Sequence, residues 1–131
     1  MEYKKADYIK FRLEKAQETD LATKLLTDKS LWSSSINRLY YACFYSVNAL
    51  LYNANIKAQT HTGIKNQFSL HFIKTHKIEK KYGKLYSNLF NWRQKGDYSD
   101  FFDFDEETVK GLMIPVQEFI EIIKQIIEEQ E

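Results

Sequence analysis

Cysteine, proline and glycine are scarce in this 131-residue chain, at one, one and four residues. The single Cys43 excludes an internal disulfide and a four-cysteine zinc site. So little proline and glycine argues against a turn-rich sandwich or barrel. The glycines (Gly63, Gly83, Gly96, Gly111) stand singly, which leaves no glycine-rich phosphate loop. Net charge is missing too, with 19 basic against 18 acidic residues. Met-Glu-Tyr-Lys-Lys-Ala-Asp is not a basic stub followed by an apolar run, so no secretory signal is visible and a cytoplasmic protein is expected. The one membrane-length uncharged run, Leu39 to Ile56, contains Ser46, Asn48, Asn53, Asn55 and four tyrosines. Those polar groups would be costly in hydrocarbon, so the run reads as the most buried helix of a protein without a membrane span.

What is present is apolar surface: 44% hydrophobic and 15% aromatic residues, enough to bury a core in one domain over residues 1–131. Residues 4–28 repeat Ile9, Leu13, Ala16, Leu21 and Leu25 near a 3.6-residue period and predict a first helix, bent near Thr19–Asp20. A second spans about 33–54, with Ser33, Ser34 and Ser35 as candidate caps. It carries an apolar face and a separate stripe of Arg38, Tyr41, Tyr45, Asn48 and Tyr52. A third helix runs from a Thr60 or Thr62 cap to about Thr75, and a fourth from Glu79 to about Asp97. The last is capped by Asp105, with Glu106 and Glu107 in its first turn and a kink at Pro115. Short connections make these an all-α, up-and-down bundle of about five helices.

Counted by segment, the charge is polarised. Residues 57–95 hold nine lysines and arginines against Glu79 alone, a net of +8. From Asp97 onward eleven acids face Lys110 and Lys124, a net of −9. Either the basic stretch forms a surface for a phosphate backbone, or the acidic last helix packs beside it and neutralises it.

Three separated stretches are the most specific: Asn37-Arg38-Leu39-Tyr40-Tyr41-Ala42, Thr60-His61-Thr62-Gly63-Ile64, and Trp92-Arg93-Gln94-Lys95-Gly96-Asp97-Tyr98-Ser99-Asp100-Phe101. Together, and in this order over about residues 5–127, they resemble the small stand-alone prokaryotic HEPN domains. The resemblance implies a four-to-five-helix bundle that forms a homodimer. It also implies a minimal nucleotidyltransferase as partner, in a toxin–antitoxin or defence pair. Many HEPN domains are metal-independent RNases with an Arg-x(4–6)-His pair, the histidine as acid–base and the arginine on phosphate charge. This chain departs from that pair: no arginine has a histidine at that spacing, and His61, His71 and His76 lie elsewhere.

The candidates for binding phosphate or another ligand are therefore Arg38, Arg93, Asp97, Tyr98 and His61. Arg93 and Asp97, four apart, could equally form a helical ion pair. Arg38, beside an uncharged helix, is expected to reach an acid such as Asp97 or Asp100. His61 reads first as a capping or turn residue. Tyr41, Tyr45 and Tyr52 are core or dimer-interface rings, with a base-stacking platform as the alternative, and Tyr98 is either a satisfied hydroxyl or, by the resemblance, a site of AMP addition. His71 and His76 share no helical face, and the Asp97–Asp105 acids lack calcium-loop spacing, so no metal or cofactor is expected. Three functions stay open: an RNA- or nucleotide-binding regulatory module, an RNase with a non-standard set such as Arg93 with Tyr98 or His61, and a purely structural dimerisation partner.

Overall fold

The computed structural model describes residues 4–98 and 103–130, the side chains of 96–98 excepted. Helix α1 spans Lys5–Asp28, α2 Trp32–Asn53, α3 His61–Phe68, α4 Lys80–Tyr98 and α5 Glu106–Glu129; a π-helical turn, Ser69–Ile73, continues α3. The all-α, five-helix expectation holds. No described helix is long and apolar enough to cross a membrane.

The uncharged α2 lies at the centre because it can bury several faces at once. It packs against α1, α4, α5 and α3, and Leu39, Tyr40, Ala42, Cys43, Val47 and Leu50 are fully buried. Contacts at the helix ends fix the directions. Tyr8 meets Tyr52 and Thr27 bonds Ser35, so α1 and α2 are antiparallel. Ser33 bonds Asp103 near the start of α5, and Asn53 bonds Gln130 at its end, so α2 and α5 run parallel. Helix α4 reaches α5 through rings, Phe119 lying 5.9 Å from Tyr86 and 6.1 Å from Tyr82.

Local chemistry explains most boundaries. Thr60 Oγ1 accepts from the Gly63 amide, and the Asp105 carboxylate accepts from Thr108; these are two of the expected caps. Ser33–Ser35 are not caps. The helix begins at Trp32, with Leu31 before it, and Ser35 donates back to the Leu31 carbonyl. Ser30 and Asn55 adopt φ of 59° and 61°. Each lets the next amide return to a carbonyl five residues back, Leu31 to Leu26 and Ile56 to Leu51, and so ends its helix. Helix α1 is unbroken at Thr19–Asp20, where Thr19 and Thr23 bond back to the carbonyls of Lys15 and Thr19. Helix α5 continues through Pro115.

The third helix is shorter than its pattern suggests. After Phe68 the chain widens into the π-turn, marked by Lys74 N–H donating to Ser69 O, five residues back. Lys81 pairs with Glu79 and Lys110 with Glu106, and neither of these pairs joins α5 to the basic α3–α4 pair.

Candidate functional site

The site forms where α2, α3 and α4 meet, around the adjacent rings of Tyr40 and Tyr41. Successive residues of a helix point about 100° apart, so Tyr40 turns into the core and Tyr41 toward the rim. Tyr40 is fully buried, stacked on Tyr86 at 5.8 Å and 9°. Tyr41 and Phe44 are half-buried beside it.

Both candidate arginines come to these rings. The Arg93 guanidinium lies 4.9 Å from the Tyr40 centroid and 5.8 Å from that of Tyr41. Its Nη1 makes a long, 3.5 Å contact with the Tyr41 hydroxyl. Arg38, one turn before Tyr41, sits 4.9 Å from the same ring. The two guanidinium carbons are thus no further apart than the sum of their distances to Tyr41.

Neither arginine holds a carboxylate among the described residues. Arg38 donates from Nε and Nη2 to Asn37 Oδ1, at 3.1 and 2.7 Å. An adjacent Asn can accept both bonds without desolvating a second charge, and the acids expected for Arg38, Asp97 and Asp100, lie outside the described side chains. Arg93 Nε is buried without a partner, and so is the Tyr86 hydroxyl. The Asp97 and Tyr98 side chains and Asp100 lie outside the described residues.

His61 arrives from α3. Thr60 does the capping, which frees the His61 ring to cross to α2. There its Nδ1 is 2.7 Å from the Tyr40 hydroxyl, and its ring stacks on Phe44 at 4.5 Å and 22°. Burial, then the nearby Arg93 charge, lowers its pKa below the usual 6.5, so the ring is neutral at pH 7. The Tyr40 hydroxyl is pushed up to about 12 by burial, against smaller opposing effects of the Tyr86 hydroxyl and Arg93. Tyr86 itself is raised well above 10, again by burial first. Its hydroxyl lies close enough to that of Tyr40 to alter its ionisation, yet not in hydrogen-bond geometry.

Tyr40 therefore stays protonated near neutrality. With its O–H donating to Nδ1, the His61 proton sits on Nε2, ready to donate to an anion. In the other tautomer Nδ1–H donates to Tyr40, and Nε2 offers a lone pair that can take a proton.

Tyr45 and Tyr52 belong to a neighbouring cluster. Arg12 of α1 lies 5.7 Å from the Tyr45 ring and 5.1 Å from Tyr8. Tyr52 packs on Tyr8 at 4.3 Å and stays 43% exposed.

Residues 9–126 match the HEPN domain, nearly the whole of the chain. The chain belongs to the HEPN family. A UPF0332 protein of Thermotoga maritima is 35% identical over 125 residues, covering 95% of each chain. A Methanocaldococcus jannaschii protein named a putative toxin is 32% identical over 117 residues, 89% of this chain and 87% of its own. A second protein of that name and organism is 29% identical over 101 residues, 77% of this chain and 69% of its own. No histidine follows Arg93 at a spacing of four to six residues, and His61 of α3 lies near Arg93 in space.

Sequence reasoning gave Arg38, Arg93, Tyr41 and His61 as candidates but did not give Tyr40 or Phe44. Two rings in succession, one core-facing and one at the rim, were the available signal. For Arg12 the signal was the four-residue step from Tyr8, whose hydroxyl Arg12 Nε reaches at 3.0 Å.

Proposed function

We propose that this HEPN domain is the effector of a toxin–antitoxin or defence pair, a homodimer that binds RNA or a nucleotide beside a minimal nucleotidyltransferase. The observation that carries the reading is the pair of guanidinium groups on Tyr41, both bonded only to neutral partners among the described residues. Two such cations, set against aromatic rings, suit a phosphate with an adjacent base. The names of the two Methanocaldococcus jannaschii relatives favour the effector role.

The test is RNA binding by the purified protein and by Arg93→Met across a salt series. Affinity that falls steeply with salt and is lost in the variant supports the reading. Absent or salt-independent binding overturns it in favour of a purely structural dimerisation partner. Intact mass after incubation with the neighbouring nucleotidyltransferase and ATP tests partnership, and Tyr98→Phe tests whether that tyrosine accepts AMP.

His61 favours a second reading, RNA cleavage through the 2′-hydroxyl. A neutral imidazole, oriented by Tyr40 and close to Arg93, has the makings of an acid–base group beside a phosphate-stabilising cation. Labelled RNA cut by the parent protein but not by His61→Ala or Arg93→Met supports this reading. Binding without cleavage in all three removes it.

A further inference from the structure

A second groove, of about 340 Å³, opens between the α3–π-turn segment and α4. One wall carries Lys65 and Ser69, and the other Lys80, Lys84 and Ser87. Among the described residues no carboxylate lines it. The spacing is helical: Lys80, Lys84 and Ser87 step along α4 by about 6 and 4.5 Å at 1.5 Å per residue. The nearest acid in sequence, Glu79, is 3.9 Å from Lys81, which does not line the groove. Glu118 shares a separate groove with Lys84 between α4 and α5, without an ion pair.

The walls approach closely because of Gly83. A Cβ at that position would lie 3.0–3.2 Å from three atoms of Ile73 in the π-turn. The π-turn supplies both Ser69 and Ile73, so the widened helix shapes one side of the groove.

Lys65 joins this groove to the Arg93–His61 site. It follows His61 by one turn of α3, and its Nζ lies 4.7 Å from the Phe90 centroid. The Phe90 ring in turn packs edge-on against Tyr40 at 6.1 Å. Positive charge thus runs from Arg93 past Lys65 to Lys80 and Lys84. Ammonium and hydroxyl groups read phosphate and sugar rather than base identity.

We propose that the groove is a track for the phosphodiester backbone of single-stranded RNA, one nucleotide of which occupies the Arg93–His61 site. The inference rests on the RNA reading above and extends it: contact along the track is independent of sequence and adds affinity with length.

The experiment compares a labelled eight-nucleotide RNA, followed by fluorescence anisotropy, with a dinucleotide, followed by NMR shifts of the His61 ring. The variants are Lys80→Gln/Lys84→Gln in the groove, Lys10→Gln/Lys124→Gln on the opposite α1–α5 groove, and Arg93→Met. Groove neutralisation should weaken the eight-mer about tenfold at low salt and flatten its log–log salt slope by about one. Dinucleotide binding should be unchanged, and the α1–α5 variant should match the parent. Parental eight-mer affinity in the groove variant overturns the track; if Arg93→Met then still abolishes binding, the RNA reading stands alone. Failure of the parent to bind either RNA removes both. An acidic polypeptide that binds where RNA does not overturns the track in favour of a protein partner.

Discussion

Tyr40→Phe removes one oxygen from a fully buried ring. The Phe ring can keep its place on Tyr86 and beneath Arg93, so the main loss is the 2.7 Å hydrogen bond to His61 Nδ1. A bond of this kind contributes about 0.5–1.5 kcal/mol net, so a loss of about 1 kcal/mol is expected. For a domain of this size that lowers Tm by roughly 4 °C. His61→Ala also forfeits the 4.5 Å stack on Phe44 and should cost roughly 2 kcal/mol. The bond cannot be lost twice, so the double variant should fall short of the sum by about 1 kcal/mol. Because the Tyr40 pKa is about 12, the hydroxyl carries its proton throughout an experiment at pH 7.5. Urea denaturation of the four proteins, with m-values compared, measures the coupling directly. Additivity within about 0.3 kcal/mol, with both single variants destabilised, would refute the junction of α2 and α3 described here.

Arg93→Met should raise the His61 pKa toward its usual value, read from ring NMR signals, because Arg93 is the second cause of its depression after burial. In the parent, stability owed to neutral His61 is complete above about pH 6.5 and is lost as pH falls through the lower folded value; the variant should lose less over that window. Gly83→Ala should destabilise by about 1 kcal/mol in thermal melts: the helix-propensity gain is about 1 kcal/mol, but crowding of Ile73 costs about 2. Unchanged or higher Tm would mean that Ile73 gives way freely. Asp20, 8% exposed with Oδ1 unpaired, has its pKa raised by burial, partly offset by Lys24 and Gln117. Asp20→Asn should stabilise by roughly 1 kcal/mol at pH 7, a gain that shrinks as pH falls through the raised value and vanishes below about 3.8. Urea melts at pH 7 and pH 4 check this, and destabilisation at pH 7 refutes it.

The bundle was legible because its signals are local. The apolar period of α5, the Thr60 and Asp105 caps and the uncharged run of α2 each require only neighbouring residues. The end of α3 was not, since a π-turn keeps helical composition and changes only which carbonyl an amide reaches. The serines before α2 misled for a related reason. A hydroxyl that could cap can also bond back to a carbonyl, and Ser35 does so. At the site, residue types were informative but partnerships were not. Arg38 satisfied by Asn37, and His61 brought 21 residues away to Tyr40, follow from how α2, α3 and α4 cross.

The turn at Ser69–Ile73 spends one residue more than an α-helix needs for the same advance. A chain shortened by one residue there would close an ordinary helix and leave the segment beyond it in nearly the same register. The change would fall inside the turn, which supplies Ser69 and Ile73 to the groove wall. Among HEPN relatives, the length of this single turn should therefore track the shape of this one groove wall, while the lysines on either side of it keep their places.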